Sequence, residues 1–158
     1  MPRRATQILL LLVASVLPLS GCGDGHANNE TANTVPKKSP LDNGPRAGDS
    51  PVAAALATKG EATFKSRGCM ACHAYGKRLT GPDLKGVTRR RTAAWMEAQI
   101  LHPERMIRED PIARELFAKY SLQMSNQGLV PEEARAIIEY LKKLDAEAEA
   151  KGELPVSK

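Results

Sequence analysis

The sequence predicts an all-α fold of about four helices. Strand signals are nearly absent, because no alternating β-branched run occurs and no Asn-Gly or Asp-Gly turn joins two apolar segments. Apolar residues recur instead at the spacings of three and four that define one buried helix face. Only 4% of the 158 residues are aromatic. The core is therefore small, or a non-protein group supplies the apolar bulk that aromatic rings usually provide.

The first two predicted helices flank a Gly- and Lys-containing stretch. The first helix runs from about Pro51 to Ser66, through Phe64. The second follows Arg91 and stops before Pro103, since proline restricts the residue that precedes it to extended backbone.

The last two predicted helices each begin beside a proline. Asp110 is a favourable N-cap, and Pro111 takes the first helical position. The final helix begins at Pro131, followed by two acidic residues that suit the positive end of a helix dipole. Its buried face follows the 3-4 spacing: Ala134, Ile137, Ile138, Leu141 and Leu144.

The N-terminus has the pattern of an export signal. Arg3 and Arg4 precede an apolar run over residues 8–16, which is too short to cross a bilayer but suits a signal peptide. The next residues, Leu19-Ser20-Gly21-Cys22, resemble a bacterial lipobox, whose cysteine becomes the acylated first residue of the mature protein. An ordinary signal peptide with Cys22 as an incidental thiol is the alternative. A lipid anchor implies the cell envelope, facing the periplasm, with the inner or outer membrane left open.

Composition divides the rest of the chain into three parts. Residues 22–52 follow the signal peptide of residues 1–21 and contain almost no large apolar side chain, which predicts a lipidated cysteine on a flexible tether. Residues 53–145 form the folded domain, and residues 146–158 form a fraying helix end and a polar tail. The formal net charge of +5 is too small to indicate nucleic-acid binding by itself.

Cys69, Cys72 and His73 form C-x-x-C-H, the pattern that attaches a c-type haem. The two thiols reach the two vinyl groups of one porphyrin, and the adjacent histidine falls beneath the ring. A redox dithiol would require a βαβ setting, which the sequence does not indicate. A structural zinc site requires four ligands, and only His102 or His26 remains as a fourth. With Cys22 lipidated, the haem reading leaves no cysteine unexplained.

Residues 55–145 resemble a class I c-type cytochrome. Gly60-x-x-x-Phe64 precedes the haem motif as it does in that family, where the glycine allows the first and last helices to approach closely. The resemblance implies that Tyr140 of the last helix packs against Phe64. It also implies one covalent haem c, with His73 as an axial ligand of the iron.

The same resemblance implies the surroundings of that haem. Gly81-Pro82-Asp83-Leu84 is similar to the G-P-x-L segment of the family, in which the proline carbonyl accepts a hydrogen bond from the ligating histidine. Arg89, or another arginine of the run Arg89–Arg91, and the indole N–H of Trp95 are expected to bind a haem propionate.

The sixth iron ligand is expected to be Met124, which stands just before the last helix, where the family has its ligand methionine. Ser125 follows it here, in place of the usual proline. A bis-histidine centre through His102 and an open iron are the alternatives. Met106, like His102, is expected in a loop around Pro103, from which it could reach the iron. Two methionines are less suitable: Met70 within the attachment loop, and Met96 beside Trp95 in a helix.

These observations predict a membrane-tethered, monohaem electron carrier rather than an enzyme, since an iron with His and Met ligands has no place for a substrate. Its expected partners are periplasmic or membrane redox proteins, with no nucleic acid and no small-molecule substrate, and the chain is expected to be monomeric outside a complex. Six basic residues could form a docking surface for acidic partners: Lys77, Arg78, Lys85, Arg89, Arg90 and Arg91. The alternatives are a haem-c subunit of a larger respiratory oxidoreductase and an open-site haem sensor or peroxidase.

Overall fold

The computed structural model describes residues 38–155, in which the regular elements are helices and no strand occurs. The all-α prediction is confirmed. The α-helices are α1 (Ala54–Ser66), α2 (Val87–Arg90), α3 (Ala93–Leu101), α4 (Pro103–Glu109), α5 (Pro111–Tyr120) and α6 (Pro131–Ala150). Short 3-10 turns occupy Pro40–Asp42, Ala47–Asp49 and Cys69–Ala71. The signal peptide of residues 1–21, Cys22 and the first part of the predicted tether lie outside the described residues.

The first and last helices form the largest helix–helix interface of the described chain. Gly60 is buried in α1 against the backbone of α6, and a Cβ atom at this position would lie 1.8 Å from the carbonyl oxygen of Ala136. One turn further on, the rings of Phe64 and Tyr140 pack with their centroids 5.7 Å apart. Both contacts expected from the Gly60-x-x-x-Phe64 pattern are therefore confirmed, and they bring α1 and α6 into close contact.

The cap residues of the helices explain where α3 and α5 begin. The hydroxyl of Thr92 accepts a hydrogen bond from the backbone N–H of Trp95 at 3.1 Å. The carboxylate of Asp110 accepts from the N–H groups of Ile112 and Ala113, as expected of an N-cap. These side chains satisfy backbone donors that have no partner within the helix.

Helix α4 corrects the prediction that the segment after Pro103 is a loop. Pro103 is the first residue of the helix, where its missing N–H costs nothing and its fixed φ angle suits the helical backbone. The helix buries Met106, which is 2% exposed. The short helix α2 was also not predicted, because four residues are too few to show a periodic pattern.

The structure of residues 38–52 contradicts the prediction that the second half of the tether is flexible. We call residues 39–50 the strap, because they lie along the domain rather than in solvent. Ser39 and Ala47 are buried, and the backbone N–H of Ala47 donates to the carbonyl of Arg91 at 2.9 Å. Composition misled here because the strap is held by hydrogen bonds to the domain and needs few apolar side chains.

The described part of the C-terminal segment, residues 146–155, begins with the predicted helix end but packs on the domain more closely than a fraying end would. Helix α6 continues to Ala150, and Ala148 is buried. Beyond the helix, the carboxylate of Glu153 lies 2.8 Å from the ammonium of Lys85. None of the helices described in residues 38–155 is long and apolar enough to cross a bilayer.

Candidate functional site

An apolar cavity of about 310 Å³ lies between α3, α5, α6 and the two irregular segments that precede α2 and α6. Its volume falls within the range of small-molecule and cofactor sites. The predicted site residues that line it are Cys69, Cys72, His73, Pro82, Trp95 and Met124. The structure therefore brings together residues that are separated by more than fifty positions in the sequence.

The turn that follows α1 carries both thiols and the imidazole to the cavity wall. Gly68 has a φ angle of 71°, a left-handed conformation that glycine adopts without steric cost, and it ends the helical path. The 3-10 turn then places the backbone N–H of His73 3.0 Å from the carbonyl of Cys69. Neither Cys69 nor Cys72 forms a disulfide within the described chain. Burial raises the pKa of the Cys69 thiol.

His73 is oriented by the backbone of the loop that follows the turn. Its Nδ1 atom lies 3.0 Å from the carbonyl oxygen of Pro82. A carbonyl only accepts, so Nδ1 carries the proton and Nε2 keeps its lone pair. Gly81 packs directly on the ring, since a Cβ atom there would lie 2.7 Å from His73 Cε1. The imidazole is therefore held in one orientation, and the lone pair of Nε2 remains available to bind a metal.

Met124 lies in the segment between α5 and α6, on the same cavity as His73. The side-chain amide of Gln99 approaches it, with Nε2 3.9 Å from the Met124 sulfur. The other amide atom, Gln99 Oε1, is buried and has no hydrogen-bond partner among residues 38–155. Asn126 holds the same segment to α3, because its amide donates to the carbonyl of Leu101 at 3.2 Å. The sequence analysis did not identify Gln99, since a lone glutamine in a helix carries no signal.

The other candidate ligands for iron have different environments. Met70 is 56% exposed, His102 is exposed and Met106 is buried elsewhere in the core, and none of the three lines the cavity. Met96 does line the cavity, but it also packs in the hydrophobic core from within α3. Met124 is the thioether that an irregular segment, rather than a packed helix, presents to the cavity.

The structure does not place Arg89 where it could take its expected role beside a haem propionate. It does not line the cavity, and its guanidinium donates to Glu149 at 2.6 Å and to the carbonyl of Gly48. Successive side chains point about 100° apart around a helix, so Arg89 faces the strap and α6. Arg90 and Arg91 line the cavity instead.

The indole of Trp95 also differs from expectation. Its ring lines the cavity, but Nε1 donates to the carboxylate of Asp110 at 3.0 Å. The indole proton is therefore used within the protein, where it ties α3 to the start of α5. The sequence did not indicate this bond, because Asp110 was assigned a capping role alone.

A buried carboxylate of α6 holds the segment that precedes α2. Asp145 of α6 is fully buried and accepts hydrogen bonds from the backbone N–H groups of Gly86 and Thr88, at 2.7 and 3.0 Å. The hydroxyls of Thr88 and Tyr75 donate to the same group at 2.6 and 2.8 Å. Burial, followed by the bond to Asp145, raises the pKa of the Tyr75 phenol. This network attaches the loop before α2 to the last helix.

The predicted basic surface is partly neutralised by carboxylates. Lys85 pairs with Glu153, Arg89 with Glu149 and Arg91 with Asp42. Lys77, Arg78 and Arg90 have no carboxylate partner within the described residues. The guanidinium of Arg78 lies 4.7 Å from the ring centroid of Tyr120, which lines the cavity. The net positive surface is therefore smaller than the sequence suggested.

Comparison with known proteins assigns this fold and site to one family. The family model for cytochrome c matches residues 57–145. A cytochrome c from Rhodothermus marinus is 37% identical, with a TM-score of 0.59 over 61% of this chain and 83% of that one. An engineered form of the Rhodothermus marinus protein is 36% identical with the same TM-score, covering 61% of this chain and 84% of its own. The cytochrome c domain of a Pseudomonas putida protein is 34% identical, with a TM-score of 0.51 over 61% of this chain and 99% of its own. No curated protein sequence gives a significant match.

The fold and the cavity are those of a small, all-helical haem protein. The chain belongs to the cytochrome c family, and the class I resemblance of its sequence is confirmed. Membership implies a covalently bound haem c, and the single C-x-x-C-H pattern gives one such group. The residues present fit it: the cavity is apolar, two thiols lie at its edge, and an imidazole nitrogen is left free. Haem-based, one-electron transfer is the function that this family carries out.

Proposed function

We propose that the protein is a lipid-anchored, monohaem electron carrier of the bacterial cell envelope, with His73 and Met124 as the axial ligands of iron. The observation that carries this proposal is the shared cavity of Cys69, Cys72, His73 and Met124. The haem supplies a reversible Fe(II)/Fe(III) couple. Every other part of the function rests on how this chain holds that group.

The ligand set is supported by the state of the two side chains. His73 has its Nδ1 proton engaged by Pro82, which leaves Nε2 as the donor atom for a metal. Met124 offers a thioether, a soft ligand that raises the reduction potential of haem iron. His73 and Met124 would together hold the iron, and a substrate would then have no site at the metal.

A rigid, apolar environment suits electron transfer. Packed helices form much of the cavity wall, and the Asp145 network fixes the segment that contributes Leu84 and Val87 to it, so little of the protein has to rearrange between the two oxidation states. In this proposal, the residues of the cavity bind and orient the haem and exclude water from it.

The surface near the cavity suits transient contact with another redox protein. Phe117 and Leu122 both line the cavity and remain 42% and 49% exposed. Arg90 lines it as well, and Arg78 lies over the ring of Tyr120. An apolar contact bordered by positive charge favours an acidic partner, because opposite charges raise the encounter rate.

The ligand assignment is tested by the optical spectrum of the full-length holoprotein. The oxidised wild type is expected to show the weak far-red band that thioether ligation gives, and the reduced form is expected not to bind carbon monoxide. Met124→Ala is expected to lose the band and bind carbon monoxide. Met106→Leu is the matched control, because Met106 is buried away from the cavity and the exchange conserves volume.

An unchanged spectrum in Met124→Ala would remove Met124 from the ligand set. Carbon monoxide binding by the wild type would favour the open-site alternative, a sensor or peroxidase. Stable co-purification with a larger oxidoreductase would favour the subunit alternative.

The anchor is tested separately, because residues 1–22 lie outside the described chain. In a bacterial host, the wild type is expected in the membrane fraction and Cys22→Ser in the soluble periplasmic fraction, since a thioether-linked lipid cannot form on serine. Recovery of the wild type in the soluble fraction would refute the lipoprotein assignment without affecting the haem site.

A further inference from the structure

The strap, residues 39–50, precedes the part of the chain that the cytochrome c family model matches, which begins at residue 57. The family therefore does not account for it. Its polar groups converge on one short connection, Arg90–Thr92, which joins α2 to α3. This connection carries two of the arginines that line the haem cavity.

The backbone of the connection depends on the strap for its hydrogen bonds. Arg91 has an extended backbone with φ of −127° and ψ of 151°, so the groups around it lie outside the helices. The carbonyl of Arg90 accepts from Arg46 Nη1 at 2.8 Å, and that of Arg91 accepts from Ala47 N at 2.9 Å. The N–H of Thr92 donates to the Asp42 carboxylate at 2.8 Å. Without the strap, the carbonyl of Arg91 and the N–H of Thr92 would lose these partners, and the carbonyl of Arg90 would keep the guanidinium of Arg91 at 3.0 Å.

The strap also contacts a cavity-lining side chain directly. The carboxylate of Asp42, whose side chain is 9% exposed, lies 3.4 Å from Arg91 Nη1. The Arg91 guanidinium carbon lies 5.1 Å from the ring centroid of Trp95, which lines the same cavity. The same Nη1 atom donates to the carbonyl of Arg90 at 3.0 Å, and Asp42 also pairs with Arg46 at 3.1 Å. Asp42, Trp95 and the Arg90 carbonyl together therefore hold the Arg91 guanidinium.

The C-terminal end of the strap is fixed by a buried cation. Lys142 of α6 is 3% exposed, and its ammonium donates to Ser50 Oγ at 2.9 Å and to Pro51 O at 2.8 Å. Glu139 supplies its carboxylate partner at 2.7 Å. A buried ammonium is costly unless all its protons are paired, so the domain needs these acceptors. The strap is thus held at both ends.

We propose that the strap is part of the haem site, and that Asp42 is a positioning residue that sets the place and the effective charge of Arg91 beside the haem. This deepens the proposed function and rests on it, but it requires only the bound haem and neither the lipid anchor nor Met124. Ferric haem carries one more positive charge than ferrous haem. An Arg91 released from Asp42 therefore disfavours the ferric form, and the lost carboxylate acts in the same direction.

The test is the reduction potential of the full-length holoprotein with Asp42→Asn, which keeps the size of the side chain and removes its charge. At a fixed applied potential, the ratio of reduced to oxidised protein is expected to rise about threefold, which is about 30 mV for a one-electron couple. Asp42→Glu, which keeps the charge, is expected to return toward the wild-type potential. Glu153→Gln is the control, because it removes the same charge from an exposed partner of Lys85.

A potential in Asp42→Asn equal to the wild type, or shifted no more than in Glu153→Gln, would overturn the proposal, because a purely structural strap would change stability alone. Where Asp42→Asn yields no holoprotein, Arg91→Gln takes its place, because it removes the cavity-lining positive charge that Asp42 holds, and the ratio of reduced to oxidised protein is then expected to fall about threefold. The same criterion applies to it. Failure of the wild type to attach haem at Cys69 and Cys72 would instead refute the proposed function.

Discussion

Replacing Gly60 with alanine tests the close approach of α1 and α6. The added Cβ would lie 1.8 Å from the carbonyl oxygen of Ala136, whereas ordinary contact begins at 3.4 Å, so the helices would have to separate locally by about 1.6 Å. Overpacking of this kind costs about 1–3 kcal/mol and occasionally more. Alanine returns about 1 kcal/mol through its better helix propensity. Because the obstacle is backbone rather than a flexible side chain, the upper end applies, and the free energy of unfolding should fall by about 2 kcal/mol.

The assay is thermal unfolding of the holoprotein followed by far-ultraviolet circular dichroism. For a domain of this size, a loss of about 2 kcal/mol lowers the Tm by about 8 °C. Gly44→Ala is the control, because a Cβ atom there meets only the methyl group of Thr92 at 3.8 Å. Its stability should be unchanged or slightly higher, since alanine restricts the unfolded chain. A Gly60→Ala variant as stable as the wild type would show that the two helices are not in backbone contact.

Three further outcomes are expected. Asp145→Asn should lower the free energy of unfolding by about 3 kcal/mol, as measured by urea unfolding. The reason is that an amide presents its own donors to the four groups that now donate to the carboxylate. A loss below about 1 kcal/mol would contradict the network. The raised pKa of Tyr75 means that the folded chain keeps the phenol protonated. The stability that the Tyr75 hydroxyl contributes is therefore fully present below about pH 10 and falls as the pH rises further. Tyr75→Phe should therefore flatten the alkaline decline in Tm, and an equally steep decline would refute the assignment. Gln99→Leu should let imidazole displace the thioether at about fivefold lower concentration, as followed by the far-red band, because the N–H donor to the Met124 sulfur is lost. A displacing imidazole concentration equal to that of the wild type would contradict the role of this contact.

The helices that the sequence predicted are those with local signals. Asp110 followed by Pro111 specifies the start of α5 within a few residues, and the apolar spacing of residues 134–144 specifies the buried face of α6. The contact of Gly60 with α6 was predictable because a family pattern accompanies it. Helix α4 was missed because Pro103 was interpreted as a stop signal, whereas proline is equally suited to the first position of a new helix.

Tertiary partners account for what the sequence did not predict. Asp42, Arg46 and Ser50 look like linker residues when only composition is considered, and their partners lie at least 40 positions away. The choice between Arg89 and its two neighbours depends on the rotation of a four-residue helix, which no periodicity can fix. The site residues that were predicted, such as His73, belong to the short motif C-x-x-C-H, which identifies the cofactor from neighbouring positions alone.

The pairing of the first and last helices determines the order in which the domain is completed during synthesis. Gly60 and Ala136 meet across a chain of 75 intervening residues, and closing a loop of that length costs about 4 kcal/mol before any contact offsets it. Until α6 has emerged, α1 has no surface on which to bury Phe64, and an isolated helix of 13 residues is marginal in water. Damage at the C-terminus, whether a nonsense mutation or a proteolytic cut before Pro131, would therefore unfold the opposite end of the domain.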